Sequence, residues 1–336
     1  MDCYLPENLK TEFFRAKKAL LEADKICIVS HRSPDGDAVG SNLALRMGLE
    51  AIGKTVVPAC VDLPPQNSAF LKGAEDYVTD FNYEDFDVIV SVDCGDLKLF
   101  KFTETKPEIL SGEKPFINFD HHESNNNFGT INPVDPRSCA TCFIMYKFFK
   151  FCGWNISIDI ATALLHGIYF DTGSLMHSNT DAEVYKASSE LTMKGADFKR
   201  IAKELFHTTP INRLRLWGKI MERTYINDEE VTVSAVGKED YETCGTTSKD
   251  NGGVIDYLNA VPGSKYCVLL SEGDNGLVKG SLRTQRNDIN LSEVASKWGG
   301  GGHPKASGFG LEGRLKPVIS WRVVQEGSEG AHGVEF

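Results

Sequence analysis

Short apolar runs alternate with longer amphipathic segments along the first part of this 336-residue chain. Apolar runs with few polar interruptions are typical of strands that are buried on both faces of a parallel sheet. The predicted strands are KICIVS (25–30), TVVPACV (55–61), FDVIVSVD (86–93) and PFINFD (115–120). Helical spacing of apolar residues predicts helices at 38–53, 138–153 and 156–171. This alternation predicts an α/β fold, in which a parallel sheet carries helices on both faces.

The pattern changes in the second half of the chain. Thr180 and Glu183 are spaced as a capping box that predicts a further helix, and more helical sequence follows with an interruption at Pro210. From Tyr225 onward come short strands separated by turn residues, VTVSAV, KYCVLLSE and LVKGSLRT. The Gly-rich tail after about residue 315 is expected to fray. We therefore expect an α/β domain, a helical connector and a smaller α+β domain at 1–190, 191–224 and 225–336.

Composition indicates an ordinary globular protein, since 41% of the residues are hydrophobic and 25% are charged. No apolar run approaches the ~20 residues that a membrane-spanning helix needs, so no membrane partner is expected. Residues 1–25 predict a short amphipathic helix and lack the apolar core of a signal peptide, which makes the cytoplasm the expected location. The net charge of −11 argues against long duplex nucleic acid, which proteins usually bind with a basic surface, and favours a small anionic substrate.

The nine cysteines are odd in number and scattered, a pattern that fits reduced thiols better than a disulfide framework. Cys139 and Cys142 form one CxxC spacing. A structural zinc site would need two further soft ligands close by, and the sequence around the pair offers none. We therefore expect both residues to be buried in a helix.

Acidic and imidazole side chains stand where four of the predicted elements end. They are His31, Asp35 and Asp37 after the first strand, Asp93 after the third, Asp120, His121 and His122 after the fourth, and Asp171 at the end of a helix. In open α/β sheets the carboxyl ends of strands line one crevice near the topological switch point, so these groups can converge. One such residue alone is usually a helix cap or a solvated loop residue. Four groups together favour a metal site.

The residue types suit hard to borderline divalent cations, because the groups contain carboxylates and imidazoles and need no thiolate. The imidazoles favour Mn²⁺ over Mg²⁺. Two cations ~3.5–4 Å apart need a bridging carboxylate, and Asp93 on a central predicted strand is the candidate. Cation pairs of this kind activate a water molecule and stabilise phosphoryl oxygens during in-line displacement.

A glycine run at 299–302 is followed by His303, Lys305 and Ser307. Its backbone N–H groups could close on an anion, and Arg283 on a preceding predicted strand could clamp a phosphate. A flexible loop is an equally good interpretation of these residues alone.

The set HRSPDGDAVGS, VDCGD, DHH and DTGS resembles the DHH phosphoesterase family, and GGGGHPKASG resembles the DHH-associated C-terminal domain found with it. The match spans nearly the whole chain, in the family's order. Within the family, the two-domain size without a further module is most similar to the NrnA-type bifunctional oligoribonucleases and phosphatases of 3'-phosphoadenosine 5'-phosphate (pAp). The resemblance makes 1–190 the catalytic metal-binding domain and 225–336 the substrate-binding domain.

The resemblance also implies a role for each site residue. One Mn²⁺ would be held by His31, Asp35 and Asp93. A second Mn²⁺ would be surrounded by Asp37, Asp93, His121 and Asp171, and Mg²⁺ or Co²⁺ could substitute. The acid/base or ligand-orienting residues would be Asp120 and His122, with His122 the candidate proton donor to the leaving oxygen. The terminal phosphate of the substrate would be held by Arg283, Gly300, Gly301, Gly302, His303 and Ser307.

The implied function is Mn²⁺-dependent hydrolysis of short RNA oligonucleotides, pAp or both, by an enzyme that could be a homodimer. Hydrolysis of cyclic di-AMP or pApA is an alternative that the sequence does not separate from it. Family II inorganic pyrophosphatases share the N-terminal motifs but carry a different C-terminal domain, so the glycine-rich motif argues against that activity. A non-catalytic nucleotide-binding protein is the alternative of another class, although no ligand position is missing.

Overall fold

A computed structural model describes residues 5–273 and 276–317 of the chain. The chain divides into two compact units, Met1–Thr208 and Thr209–Phe336. The division falls inside the segment predicted as a connector, and the limits expected for the three segments stay a prediction. Within the described ranges, no helix combines the length and apolar character that a membrane crossing requires. Most of the tail that we expect to fray lies outside the described residues.

The first unit is built on a four-stranded sheet. Its strands are β1 (Lys25–Ser30), β2 (Thr55–Ala59), β3 (Val88–Val92) and β4 (Phe116–Phe119). Its helices are α1 (Glu7–Glu22), α2 (Gly36–Glu50), α3 (Leu97–Phe100), α4 (Thr141–Cys152), α5 (Ile158–Asp171), α6 (Ala182–Met193) and α7 (Phe198–Phe206). The strands are parallel in the order β2-β1-β3-β4. Because the chain passes from β2 across to the far side of β1, the switch point lies between β1 and β3.

The two faces of this sheet are covered differently. Ile28 and Val90 pack in one core with residues of α1, α2, α4 and α5. On the opposite face, Val29 packs with phenylalanines such as Phe100 and Phe102. These come from α3 and from 3₁₀ turns, which lie at Tyr83–Asp85, Phe102–Glu104 and Pro107–Leu110. The α/β fold with a parallel sheet is confirmed, with long helices on one face and short helical turns on the other.

One predicted helix start is wrong by a residue. Asp181, and not Thr180, is the N-cap of α6, because its carboxylate accepts hydrogen bonds from the amides of Glu183 (2.9 Å) and Val184 (3.0 Å). Thr180 instead donates its amide to the carbonyl of His177 (3.1 Å) and ends the preceding loop. Adjacent Thr and Asp are both good caps, so the sequence did not distinguish them.

The second unit is an α+β fold. Its helices are α8 (Ile211–Glu222), α9 (Lys238–Cys244), α10 (Val254–Asn259) and α11 (Leu291–Ser296). Its strands are β5 (Tyr225–Ile226), β6 (Val231–Val236), β7 (Tyr266–Glu272), β8 (Leu277–Arg283), β9 (Gly301–His303) and β10 (Ala306–Glu312). They form one sheet in the order β5-β6-β7-β8-β10-β9, in which β6 and β7 are parallel and the other pairs antiparallel.

Candidate metal centre

The switch point of the first sheet gathers residues from several strand ends. β1 and β3 lie side by side and β4 lies next to β3, so the residues that follow them open onto one edge. His31 follows β1, Asp93 follows β3, and Asp120 and His121 follow β4. Asp171 is the last residue of α5, which packs against α2. The topology thus places all four predicted groups at one end of the sheet.

Ligand atoms of seven residues form three overlapping groups, in each of which all atoms lie within 4.8 Å of one another. The groups are His31, Asp35 and Asp93; Asp37, His121 and Asp171; and Asp93, His121 and His122. His121 Nε2 lies 3.1 Å from Asp171 Oδ2 and 3.5 Å from Asp93 Oδ1. Asp93 and His121 each belong to two groups and connect all three. None of the groups includes a cysteine.

Asp93 is fixed in an unusual backbone conformation. Its φ is +56°, and only 2% of the residue is exposed. Residues other than glycine adopt this left-handed conformation at a cost and keep it where surrounding contacts enforce it. The Asp93 amide donates to the carbonyl of Phe119 (2.9 Å), and Thr141 donates its hydroxyl to Asp93 Oδ1 (3.0 Å). The direction of the carboxylate is therefore set by the protein itself.

Asp37 is fully buried and caps a helix to which it does not belong. Ala140 precedes α4 and has no side chain that can cap it. The Asp37 carboxylate instead accepts the amide hydrogens of Thr141 (2.6 Å) and Cys142 (2.8 Å), which are unpaired donors of the first turn. Gly167 of α5 permits this packing, since a Cβ atom there would lie 2.6 Å from Asp37 Oδ1.

His122 is oriented by a chain of hydrogen bonds. Its Nδ1 atom lies 2.7 Å from Asp120 Oδ1, and Asn125 donates to Asp120 Oδ2 (2.5 Å) and to the carbonyl of Cys94 (3.2 Å). Asp120 is fully buried, whereas the His122 side chain is 45% exposed. Gly95 lies directly against the ring, because a Cβ atom there would be 2.8 Å from His122 Cβ. Since Nδ1 is engaged by Asp120, His122 presents Nε2 for chemistry.

Burial and like charges raise the pKa of two carboxyls. Burial, and then the charges of Asp93 and Asp171, raise the pKa of Asp35 to about 7. The same causes raise the pKa of Asp37 well above its usual range. Too little positive charge surrounds these carboxylates to offset their mutual repulsion and the free-energy cost of burying them in the ionised form. A divalent cation would supply that charge, and the oxygen and imidazole donors fit one such as Mn²⁺.

For the imidazoles, burial and the neighbouring carboxylates act on the pKa in opposite directions. Burial lowers the pKa of His31, but its hydrogen bond with Asp93 and the charges of Asp93 and Asp35 outweigh that effect and raise the pKa to about 9. For His122, burial also lowers the pKa, and the hydrogen bond with Asp120 outweighs it. Burial raises the pKa of Asp93, but its hydrogen bond with His31 and the nearby imidazoles bring it below the usual range. In the absence of cations, the groups that would bind them therefore favour binding protons.

Arg283 and His303 share one face of the second sheet. Ala306 of β10 pairs with Arg283 of β8 on one side and with His303 of β9 on the other. Directly paired residues project to the same face, so the two backbones stand two strand spacings, ~10 Å, apart. Ser307 projects to the opposite face, is buried, and donates its hydroxyl to the carbonyl of His303 (2.8 Å). Its contacts order the hairpin that carries His303.

The glycine run is part of a hairpin and not a flexible loop. Gly301 pairs with Gly308 and Gly302 pairs with Ser307, while Gly300 lies just before the strand. Lys305 projects away from this pairing and donates to the carbonyl of Arg286 and to Asn287 Oδ1 (2.8 Å). The loop interpretation is wrong for Gly301 and Gly302, because the following residues 306–312 form a strand that pairs with them.

Family models match most of the chain in two parts. Residues 25–168 match the DHH family, N-terminal domain, and residues 228–321 match the DHHA1 domain. The bifunctional oligoribonuclease and PAP phosphatase NrnA of Thermus thermophilus is 31% identical over 93% of this chain and 93% of its own length. This chain belongs to the DHH family. As a DHH phosphoesterase, it is a hydrolase that acts on phosphoester bonds.

Two further comparisons agree with the assignment to the DHH family. NrnA of Bacillus subtilis is 26% identical over 90% of this chain and 93% of its own length. A crystal structure of an exopolyphosphatase-related protein from Bacteroides fragilis has a TM-score of 0.83 and 27% identity, and the match covers 91% of this chain and 92% of that one. The fold of the chain is therefore similar to that of this protein over most of both chains.

The sequence did not reveal the residues of the candidate metal centre that orient other side chains. Thr141 contacts both Asp37 and Asp93, and Asn125 contacts Asp120. A threonine at the start of a helix and an asparagine in a loop are common, and no spacing rule marks them. Their roles follow only from the packing of α4 and of the loop after β4 against the strand ends.

Proposed function

We propose that the chain is a two-cation, Mn²⁺-dependent phosphoesterase that hydrolyses short oligoribonucleotides and pAp. The observation that carries the proposal is the set of three ligand groups joined by Asp93 and His121. The substrate class is supported by the NrnA relative, whose name describes both activities and which matches 93% of the chain.

We assign each cation a set of residues. His31, Asp35 and Asp93 would hold one cation. Asp37, His121 and Asp171 would hold the other. Asp93 would bridge the two, which the distances of its Oδ2 to His31 Nε2 (3.6 Å) and of its Oδ1 to His121 Nε2 (3.5 Å) support. Bound there, two divalent cations would generate a nucleophilic hydroxide at neutral pH and offset charge on the phosphoryl oxygens. Thr141 and the first turn of α4 would keep Asp93 and Asp37 aimed at them.

His122 is our candidate for the proton donor to the leaving oxygen. Asp120 accepts the Nδ1 hydrogen, and this hydrogen bond raises the pKa of His122 and favours the protonated ring, in which Nε2 also carries a proton. His122 is also a member of one ligand group. We favour the acid role because the nitrogen nearest Asp93, Nδ1, is already bound to Asp120.

The second unit would bind one end of the substrate. A guanidinium and an imidazole on one face of a sheet can share a terminal phosphate, and Arg283 and His303 are so arranged. Gly300, Gly301 and Gly302 would let the phosphate approach the backbone beside them. Ser307 would act indirectly, since it holds the His303 carbonyl from the opposite face. A net charge of −11 suits substrates with few phosphates, because the cations supply much of the positive charge.

One experiment decides between this function and its alternatives. The substrates are pAp, pApA, cyclic di-AMP, RNA of two to five nucleotides and pyrophosphate, each with Mn²⁺ and with Mg²⁺. We expect pAp and short RNA to be hydrolysed fastest with Mn²⁺, and pyrophosphate to be left intact. Faster turnover of cyclic di-AMP or pApA would reassign the substrate, and binding without turnover of any substrate would make the chain a nucleotide-binding protein.

Location and assembly also stay predictions. A cytoplasmic enzyme would appear in the soluble fraction of its own cells, and a homodimer would show twice the mass of the 37.1 kDa chain in light scattering.

A further inference from the structure

We propose that Asp62 is a positioning residue that holds the loop of His31 and Asp35 in the shape that binds a cation. The inference rests on the proposed function, since it concerns one of the two cation sites. Asp62 follows β2, the edge strand next to β1. β2 and the residues that follow it contribute no member to the three ligand groups. Asp62 can therefore act on the site only through other residues.

Asp62 contacts the most unusual backbone of the loop. Ser33 has a φ of +52°, a conformation that a serine keeps only when contacts enforce it. Asp62 Oδ2 accepts the Ser33 amide hydrogen at 2.7 Å, and the Ser33 hydroxyl lies 3.4 Å from the same oxygen. A carboxylate that accepts a backbone N–H makes a charge-assisted hydrogen bond, which is stronger than a neutral one.

Two further contacts fix the same short segment. Cys60, also at the end of β2, donates its thiol to the His31 carbonyl (3.1 Å). Arg32 donates its amide to the carbonyl of Leu99 (2.8 Å) on the other side. The backbones of His31, Arg32 and Ser33 are thus each held by a hydrogen bond, and Asp62 is the only charged partner in these three bonds. The loop is preorganised in the manner that ligand-orienting contacts give to metal sites.

The tether should act on one cation site and spare the other. The loop supplies His31 and leads into Asp35, both of which belong to the group with Asp93. In the other group, Asp37 is held by the amides at the start of α4 and does not depend on Asp62. Loss of Asp62 would let Ser33 relax, which moves His31 while the second group keeps its geometry.

The test is calorimetric titration of the metal-free protein with Mn²⁺. We expect two sites in the wild type, and in Asp62→Ala one site weakened by about 10- to 100-fold with the other unchanged. Asp62→Asn should stay within about threefold, because its amide oxygen can still accept the Ser33 hydrogen. The matched control is Asp87→Ala, since Asp87 accepts the amides of Asp24 (2.9 Å) and Lys25 (2.8 Å) at the opposite end of β1.

Each outcome has a defined meaning. Wild-type affinity at both sites in Asp62→Ala, or equal weakening of both, would overturn the inference. Cys60→Ala is the second variant, for use if Asp62→Ala does not fold. It removes the neighbouring hydrogen bond to the His31 carbonyl and should weaken the same cation site. An unchanged affinity of that site in Cys60→Ala would count against the inference. A wild-type protein that binds fewer than two Mn²⁺ would refute the proposed function itself and so is distinguishable from failure of this inference.

Discussion

The candidate metal centre of the first unit and the residues of the second unit that we propose to bind a phosphate differ in how their side chains are held. Asp37, Asp93 and Asp120 are almost fully buried, and protein groups contact each carboxylate. Arg283 is half-buried and His303 is exposed on an edge strand. The first arrangement suits chemistry, which needs fixed geometry, and the second suits recognition of substrates that vary in length.

Backbone conformation shows the same difference. Among the described residues, seven other than glycine have a positive φ, and five of them lie in loops that carry or adjoin the ligand groups. These five are Ser33, Asp93, Asn127, Ser174 and Leu175. Glu230 is the member of the set that lies in the second unit, far along the chain from Arg283 and His303. The chain thus tolerates unfavourable backbone where it positions ligands, and the hairpin relies on glycine instead.

The largest effect should come from Asp93. Asp93→Asn removes the proposed bridging charge, and we expect kcat with Mn²⁺ to fall by about 10³-fold together with loss of a bound cation. Asp96→Asn is the control in the same loop, since Asp96 caps α3 through the amide of Lys98 (2.8 Å). Retention of a tenth or more of the activity in Asp93→Asn would show that Asp93 does not bridge the cations.

The next effect concerns His122 and leaves the cations in place. Gly95→Ala would force the His122 ring away from Asp120, so we expect kcat to fall by about 10- to 100-fold with Mn²⁺ affinity unchanged. Gly218→Ala is the control, because nothing lies within 4 Å of a Cβ atom there. An undisturbed kcat in Gly95→Ala would argue against a proton-donating His122.

A smaller effect should follow from changes at Arg283 and His303. Arg283→Ala should raise KM for pAp about 10-fold through loss of a charged hydrogen bond, and His303→Ala should act in the same direction. Turnover of bis(p-nitrophenyl) phosphate, which has no terminal phosphate, should stay the same. Arg286→Ala is the matched control, since Asp288 pairs with Arg286 at 2.6 Å. Equal losses with both substrates would move the role of Arg283 from recognition to folding.

The last effect is a pH dependence of cation binding. His31 has a pKa raised to about 9, so in the metal-free protein its contribution to stability is complete below about pH 6.5 and is lost as the pH rises toward 9. Mn²⁺ must displace that proton, so its affinity should rise by nearly tenfold per pH unit between pH 6.5 and 8.5. Titrations at these pH values check this, and an affinity that falls with pH would contradict it.

The sequence predicted the parts of this molecule that depend on periodicity and on strand ends. Continuous apolar runs gave the four parallel strands, and the residues after them, such as His31 and Asp93, meet at the switch point. Three things depended on packing between distant segments. Thr141 reaches Asp93 only because α4 begins at the strand ends, Ser33 donates its amide to Asp62 from another strand end, and Ser307 faces away from Arg283. Such contacts have no local pattern, so sequence reasoning could not find them.

The central claim is that Asp93 bridges two cations, and anomalous scattering tests it most directly. Crystals grown with Mn²⁺ and measured at the manganese absorption edge should show two peaks, ~3.5–4 Å apart, on either side of the Asp93 carboxylate. One peak should lie beside His31 and Asp35, and the other beside His121 and Asp171. A single peak, or two peaks of which neither contacts Asp93, would contradict the account.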